Sequence, residues 1–579
     1  MQSKYIKIFI YSLIAGWLVV SFAALAAMYK LWWERERVDY LSKSVTEQRE
    51  IIWQKAGFYK PLLATTEKLT QIWPENIDYK RKEDRVKFSY AAYLLLPRMP
   101  YGEKDYIVYG DGGYFPLAGE ITDTTNPSKL STIWGPITAV ILLLGITLIL
   151  KNTNHGSNFS FPEVAGCSLL FLVIWPIISK GLTGSASYGF IINTIVGVIS
   201  WLLLFTIWRK KRSSNITIHM IDHPNNFEKF LGWTFMIIIC LSVIWVMLMS
   251  VVVVPDDWDA WAIWGSKAKV LALVQGPLQD VTAFDQADYP LLWPTIWAYS
   301  GWLSGGWEEM WSRGWGGIFL ILCCWEIAVI IYRWKHNILL ALFGAALFSS
   351  MPMVPLVASW SYAEAPFWLF IITCVGCLLM RKDNDKMLIT VIAALLASGA
   401  AYTKNEGVLF SCLASIWILF LPGRRPLAHF SIFLVVFFVT YAPWFWWVKI
   451  YLGLGSHATS GLHFDIGNIQ RALGRAPIVA EIIARMWIDI KQWNIVLAIT
   501  TLAIIPMSFH KEFRIMLFLP VLLLVGYFVI TVFHDADVYW QTGGSWNRLT
   551  IHVMPVIVVI LIGLLDKYVA LGKEKIDMI

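Results

Sequence analysis

Charge is scarce in this chain. Asp, Glu, Lys and Arg make up 15% of its 579 residues, against 57% hydrophobic ones, where soluble proteins carry about 25% charged residues. That balance excludes an ordinary soluble enzyme and leaves an integral membrane protein. Cysteine is sparse too, with seven residues, all inside or beside apolar runs. Cys374 and Cys377 have no second Cys or His pair nearby, so neither a disulfide framework nor a four-ligand zinc site is implied.

Familiar catalytic signatures are also missing. The chain holds no GxxxxGK[ST] phosphate loop, no convincing GxGxxG fingerprint and no HExxH pair, which argues against nucleotide-driven chemistry on the cytoplasmic face. Energy for any group transfer then has to arrive in an activated, membrane-borne substrate. There is no internal repeat, no low-complexity tract, and no pair of Gly/Pro-broken helices in matching halves of the kind that marks many transporters.

Long apolar runs are what the chain has in abundance. Residues 8–28 follow a short basic start and read as a signal anchor of about 20 residues. Thirteen further runs, from 133–150 to 553–565, bring the expected total to about fourteen spans. Thirty-two tryptophans cluster at the ends of these runs, where amphipathic rings suit a lipid headgroup layer. The net charge of +7 lies in short loops, 209–212, 333–336, 381–386, 423–425 and 510–514, and in the C-terminal tail. All fall on one side when the spans alternate, which makes that side cytoplasmic and argues against a nucleic-acid partner. Residues 31–131, the one long polar segment, are expected to form a small extracytoplasmic α+β module. The expected fold is thus an all-α polytopic membrane protein with that module near its N-terminus. Residues 132–226 would supply additional helices and 227–579 the functional core.

Chemistry is expected in the outer loops. Asp256, Asp257 and Asp259 sit among Trp258, Trp261 and Trp264 directly after an apolar run. Asp256 and Asp257 suit a helix N-terminus, whereas Asp259 is a carboxylate at a low-dielectric boundary, costly unless used. Lys267 would lie close to Asp259 on one helix. Asp288 and Tyr289 occupy the same outer loop, Glu364 a helix entrance, and Lys404 and Glu406 the next outer turn. Basic groups that suit a phosphate lie in 449–493, which also holds His457 and His463, and in the last outer loop, where Arg548 follows His534, Asp535 and Asp537. The carboxylates suit a divalent cation, although no ligand spacing fixes one.

Taken together, Trp258-Asp259-Ala260-Trp261-Ala262-Ile263-Trp264, Asp288-Tyr289-Pro290-Leu291-Leu292, Tyr362-Ala363-Glu364-Ala365-Pro366 and Thr403-Lys404-Asn405-Glu406-Gly407 resemble bacterial GT-C glycosyltransferases of the protein mannosyltransferase and aminoarabinose transferase class. The resemblance covers 231–555. It implies a GT-C type core, a polyprenyl-phosphate sugar donor, and an acid of the first outer core loop as general base. Asp259 matches that acid, with Asp257 its nearest rival. Glu364 departs from the Asp expected there, which puts its geometry in doubt.

The resulting expectation is an inverting glycosyl transfer at the extracytoplasmic face of a bacterial inner membrane, to a glycan, lipid or protein acceptor. Asp259 would deprotonate the acceptor hydroxyl. Lys404, Arg548 and Lys267 would stabilise the departing phosphate, while Asp288, Tyr289, Glu364 and Glu406 would position the acceptor or a metal. The rivals are a transporter or flippase of lipid-linked saccharide, and an O-antigen ligase- or polymerase-like transferase resting on residues such as His457 and Arg471.

Overall fold

A computed structural model describes residues 2–31, 120–121, 137–148, 159–211, 226–252, 257–282, 284, 286–305, 307, 314–381, 386–455, 465–534 and 537–577. The protein is a largely helical, multi-spanning membrane protein, as expected of a chain whose backbone polar groups must find partners without water. In order, the helices are α1 (Gln2–Leu31), α2 (Ile137–Leu148), α3 (Phe161–Thr183), α4 (Ser187–Lys211), α5 (Asn226–Val252), α6 (Ser266–Leu273), α7 (Leu292–Leu303), α8 (Trp315–Lys335), α9 (Ile338–Ser349) and α10 (Met353–Ser359). They continue with α11 (Glu364–Met380), α12 (Met387–Thr403), α13 (Glu406–Ile418), α14 (Pro426–Phe445), α15 (Ile466–Trp487), α16 (Ile490–Trp493), α17 (Val496–Ser508), α18 (Lys511–Phe533) and α19 (Val538–Asp577).

The expectation of fourteen spans does not hold. Among the described residues seven helices are long and apolar enough to cross a bilayer, or eight if α9 and α10, bent by 63° across their short break, count as one. Of the remaining apolar runs, several form helices of 17 residues or fewer, including α11, α12, α13 and α17. At 1.5 Å per residue, the 13 residues of α13 reach about 20 Å, short of a hydrocarbon core of about 30 Å. Hydropathy counts apolar residues whether or not they lie in one straight helix. Pro352, which has no N–H to give, sits at the bend between α9 and α10, and that bend splits one run in two.

Among the described residues there is likewise no α+β module. Residues 31–131 lie outside the described residues except for Leu31 and the strand Glu120–Ile121. This strand pairs antiparallel with Val274–Gln275, a sheet of two residues on each side.

α19 forms the centre, with 83% of its spanning stretch buried, while α4 and α14 are peripheral at 28% each and turn apolar side chains such as Ile195 and Val439 outward. α3 packs among α7, α8, α11 and α12. A capping box opens it: Ser160 Oγ accepts from the Glu163 amide, and the Glu163 carboxylate accepts from the Ser160 amide. The same end is fastened to α8, since Arg333 donates to Glu163 Oε1 at 2.8 Å and Ser160 Oγ donates to the buried Glu326 at 2.5 Å. α1 is tied in as well, with the Trp17 indole donating to Ser350 Oγ and Asn494 Nδ2 to Ser21 Oγ.

Lys335 with Asp566 and Lys567 with Glu512 join α8, α18 and α19 at the end of the bundle that carries the basic loops. At the opposite end, α12 stops at Lys404, whose backbone turns extended (φ −149°, ψ 152°), and α13 restarts two residues later. Gly407 makes this reversal possible, because a Cβ there would collide with the backbone of Ala400 and Ala401.

Gly407→Ala is therefore expected to destabilise the protein by on the order of 1–3 kcal/mol, lowering the midpoint of thermal unfolding in detergent. Gly474→Ala, where a Cβ meets nothing within 4 Å, should leave the midpoint unchanged or slightly raised.

Candidate functional site

Asp259 closes a short helical turn in which the Ala260 amide donates to the Asp257 carbonyl at 3.1 Å. A π-helix, Ala260–Gly265, follows in place of the regular α-helix expected from the sequence. The wider turn lets Ser266 Oγ donate back to the Trp261 carbonyl at 2.7 Å. The tryptophans expected as membrane-surface anchors are built inward instead. Trp261 and Trp264 are 3% and 2% exposed; Trp264 stacks on Tyr289 at 5.3 Å, and Trp258 meets Trp261 edge-on. The π-helix therefore forms a wall of the bundle and carries Asp259 on it.

Opposite Asp259 stands Arg548, about three turns into α19. Its Nη1 donates to Asp259 Oδ2 and lies 3.5 Å from Glu364 Oε1. Glu364 belongs to the first turn of α11, where the helix dipole favours a carboxylate. Its Oε1 also accepts from Lys404 Nζ at 3.0 Å, and Lys404 reaches Glu406 Oε1 at 3.2 Å. Five charged groups thus form one chain, Asp259–Arg548–Glu364–Lys404–Glu406, drawn from the π-helix wall, α19, α11 and the α12–α13 turn. Glu364 and Lys404 are almost fully buried, and Arg548 and Asp259 a fifth exposed.

The residue between Lys404 and Glu406 extends the network. Asn405 Nδ2 donates to Asp288 Oδ2 at 2.7 Å, and the same oxygen accepts from Lys449 Nζ at 3.0 Å. Lys449 comes from the π-helical turn Trp446–Tyr451 that ends α14. The Asp288 loop is held from below by Lys267, whose ammonium donates to the carbonyls of Gln286 and Tyr289 at 2.5 and 3.1 Å. Lys267 therefore supports the loop through these two backbone carbonyls.

Two tyrosines close the site. Arg548 lies over the Tyr362 ring at 5.1 Å. The preceding residue, Ser361, adopts a positive φ of 61°, with its carbonyl accepting from the Trp293 indole. Burial pushes the Tyr362 phenol well up, and the charges of Asp259 and Asp257 push it further. Burial does the same to Tyr289, with help from Glu406, Asp288 and Asp259. Both phenols are neutral at physiological pH. At Lys404 burial opposes the charge, yet Glu364 and Glu406 outweigh it and hold its pKa above the usual lysine value.

The structure thus brings Asp259, Glu364, Lys404, Glu406 and Arg548 together, with Asp288 linked through Asn405, Tyr289 against Trp264, and Asp257 near enough to act on Tyr362. Asp256, His457, His463 and Asp535 lie outside the described residues. Arg471 and Arg475 donate to the carbonyls of Phe533 and His534. Lys449, Asn405 and Tyr362 were not named as site residues from sequence; Asn405 and Tyr362 stand within the motifs, whereas Lys449 opens the basic stretch 449–493 with nothing to set it apart from the other cations there. Among the described residues no group of three or more His, Cys, Asp or Glu side chains is arranged to hold a metal ion. The carboxylates that would serve are interleaved with Lys404 and Arg548 instead.

Compared with known proteins, the chain matches no family model, no curated protein sequence and no solved structure.

Removing one partner of a buried pair strands the other charge. Lys404→Met should cost about 3–5 kcal/mol, read as a lowered unfolding midpoint. The double variant Lys404→Met, Glu364→Leu should recover part of that loss, and strictly additive costs would show that the two do not interact.

Proposed function

We propose that the protein is a glycosyltransferase that moves a sugar from a polyprenyl-phosphate carrier to an acceptor hydroxyl, with inversion at the anomeric carbon. The observation that carries this reading is Asp259 held against Arg548, one potential base and one anion receptor fixed side by side by the Glu364–Lys404 pair beneath them. The resemblance of the surrounding motifs to GT-C glycosyltransferases points the same way. This reading puts the site on the extracytoplasmic side of a bacterial inner membrane, and the gathering of the basic loops at the other end of the bundle supports that orientation.

In this reaction Asp259 accepts the proton of the acceptor hydroxyl as its oxygen attacks the anomeric carbon. The bond from that carbon to the phosphate oxygen breaks, and the carrier phosphate leaves with the electron pair. Arg548 uses a single nitrogen, Nη1, for both Asp259 and Glu364. Its remaining N–H groups suit the leaving phosphate, a forked donor set where negative charge develops. Glu364 and Lys404 keep the guanidinium in place, and Tyr289 and Asp288 line the acceptor side. A glycan, a lipid or a protein hydroxyl would each satisfy this scheme.

One observation favours a second reading, transport of a lipid-linked saccharide. Glu326 is an acid fully buried within the spanning helix α8, beside Glu163 and Arg333, and such groups mark translocation pathways in many transporters. Transport leaves the glycosyl–phosphate bond intact, so chemistry separates the two.

Purified protein in lipid vesicles, given a panel of polyprenyl-phosphate sugars and acceptor alcohols, should release free polyprenyl phosphate. Asp259→Asn should slow that release by on the order of 10²- to 10⁴-fold while still binding the donor, whereas Arg548→Ala should weaken donor binding. A folded Asp259→Asn protein working at the unsubstituted rate would remove Asp259 as the base.

A further inference from the structure

We infer that α15 (Ile466–Trp487) is seated obliquely in the surface of the bilayer, in the leaflet nearest the Asp259–Arg548 site, with one side in lipid and the other in water. The inference is independent of the reaction. At 22 residues α15 has the length of a span, but Arg471, Arg475, Glu481 and Arg485 interrupt it, and it is not among the helices apolar enough to cross.

Its side chains fall on three faces. Ala472, Val479 and Ile483 are buried, where α15 packs against α18 and α19. A second stripe, adjacent at helical spacing, is apolar and uncovered: Ile466 is 77% exposed, Leu473 69%, and Ile488 just beyond the helix 72%, with Ile469 between them. The third face carries Glu481 and Arg485, exposed and paired with each other. Such a division suits a helix lying at the boundary between headgroups and acyl chains.

Chain geometry favours the bilayer over a protein partner as the cover of the apolar stripe. α17, with 13 residues, reaches about 20 Å of the roughly 30 Å needed to cross. It ends at Ser508, just before the basic end where Glu512 meets Lys567, so its first residue starts about 10 Å inside the opposite surface. α15 and the short α16 must supply that descent. The ties of α15 fit it: Arg471 and Arg475 near its start hold the end of α18 at Phe533 and His534, while Trp487 at its far end donates to Thr550, well inside α19. Beyond α15, Ile488 and Ile490, and Leu502 and Ile505 of α17, are likewise apolar and uncovered.

Nitroxide labels at Leu473→Cys and Arg485→Cys test this in phosphatidylethanolamine–phosphatidylglycerol vesicles, using the full chain with the exposed Cys240 and Cys412 replaced by serine. Power saturation should show the 473 label relaxed mainly by oxygen, which partitions into lipid, and the 485 label mainly by a water-soluble nickel chelate. Ile469→Cys repeats the measurement should Leu473→Cys fail to fold. Nickel dominating at 473 or 469 would place the stripe in water, and shielding from both agents would place it under protein; either result overturns the inference.

Discussion

A carboxylate shared between a lysine and an arginine holds the site end of the bundle together. Glu364 Oε1 accepts from Lys404 and faces Arg548, and through these two cations it is linked to Glu406 and Asp259. Glu364 and Lys404, almost fully buried, would not be stable alone, because an unpaired charge in a low-dielectric interior is costly. Each is tolerated because the others are present. The chain of alternating charges therefore fixes the relative placement of the π-helix wall, α11, the α12–α13 turn and α19. The cluster counts three carboxylates against two cations, and Glu364 Oε2 and Glu406 Oε2 are buried without a hydrogen-bond partner. It thus has acceptor capacity left for a ligand's hydroxyl groups.

Short helices make this arrangement possible. α11, α12 and α13 have 17, 17 and 13 residues, so their polar ends fall within the packed bundle instead of standing out into solvent. A full-length span would have carried Glu364 and Lys404 to the surface, where ion pairs are worth little. The same shortness that removes α13 from the count of membrane-crossing helices is what buries its first turn beside the site. Gly407 and the extended backbone at Lys404 are the local devices that end one helix and begin the next.

The opposite end is held differently. There Glu163, Arg333, Glu326 and Ser160 join α3 to α8, while Lys335–Asp566 and Lys567–Glu512 lie nearer to water. α3 thereby becomes part of the same packed body as the helices that bear the site. α1 joins it through Ser21 and Asn494, a hydrogen bond between residues 473 positions apart in the chain.

Much of this was legible in the chain itself. Low charge and long apolar runs determine a helical membrane protein, because the bilayer admits only structures that satisfy their own backbone. The acids and lysine worth attention, Asp259, Asp288, Glu364, Lys404 and Glu406, stood out because charged groups next to apolar and aromatic neighbours are costly unless paired or used. What the sequence could not decide was which of them meet. Asp259 and Arg548 are 289 residues apart, and only the packing of α19 against α8 and α11 sets that distance. Tertiary structure also turned Trp261 and Trp264 inward, gave Lys267 to backbone carbonyls, brought in Lys449, and, among the described residues, reduced fourteen apolar runs to seven or eight helices able to cross. Hydropathy is a local property of a run, whereas length in a straight helix, burial and ion pairing depend on what the rest of the chain places beside it.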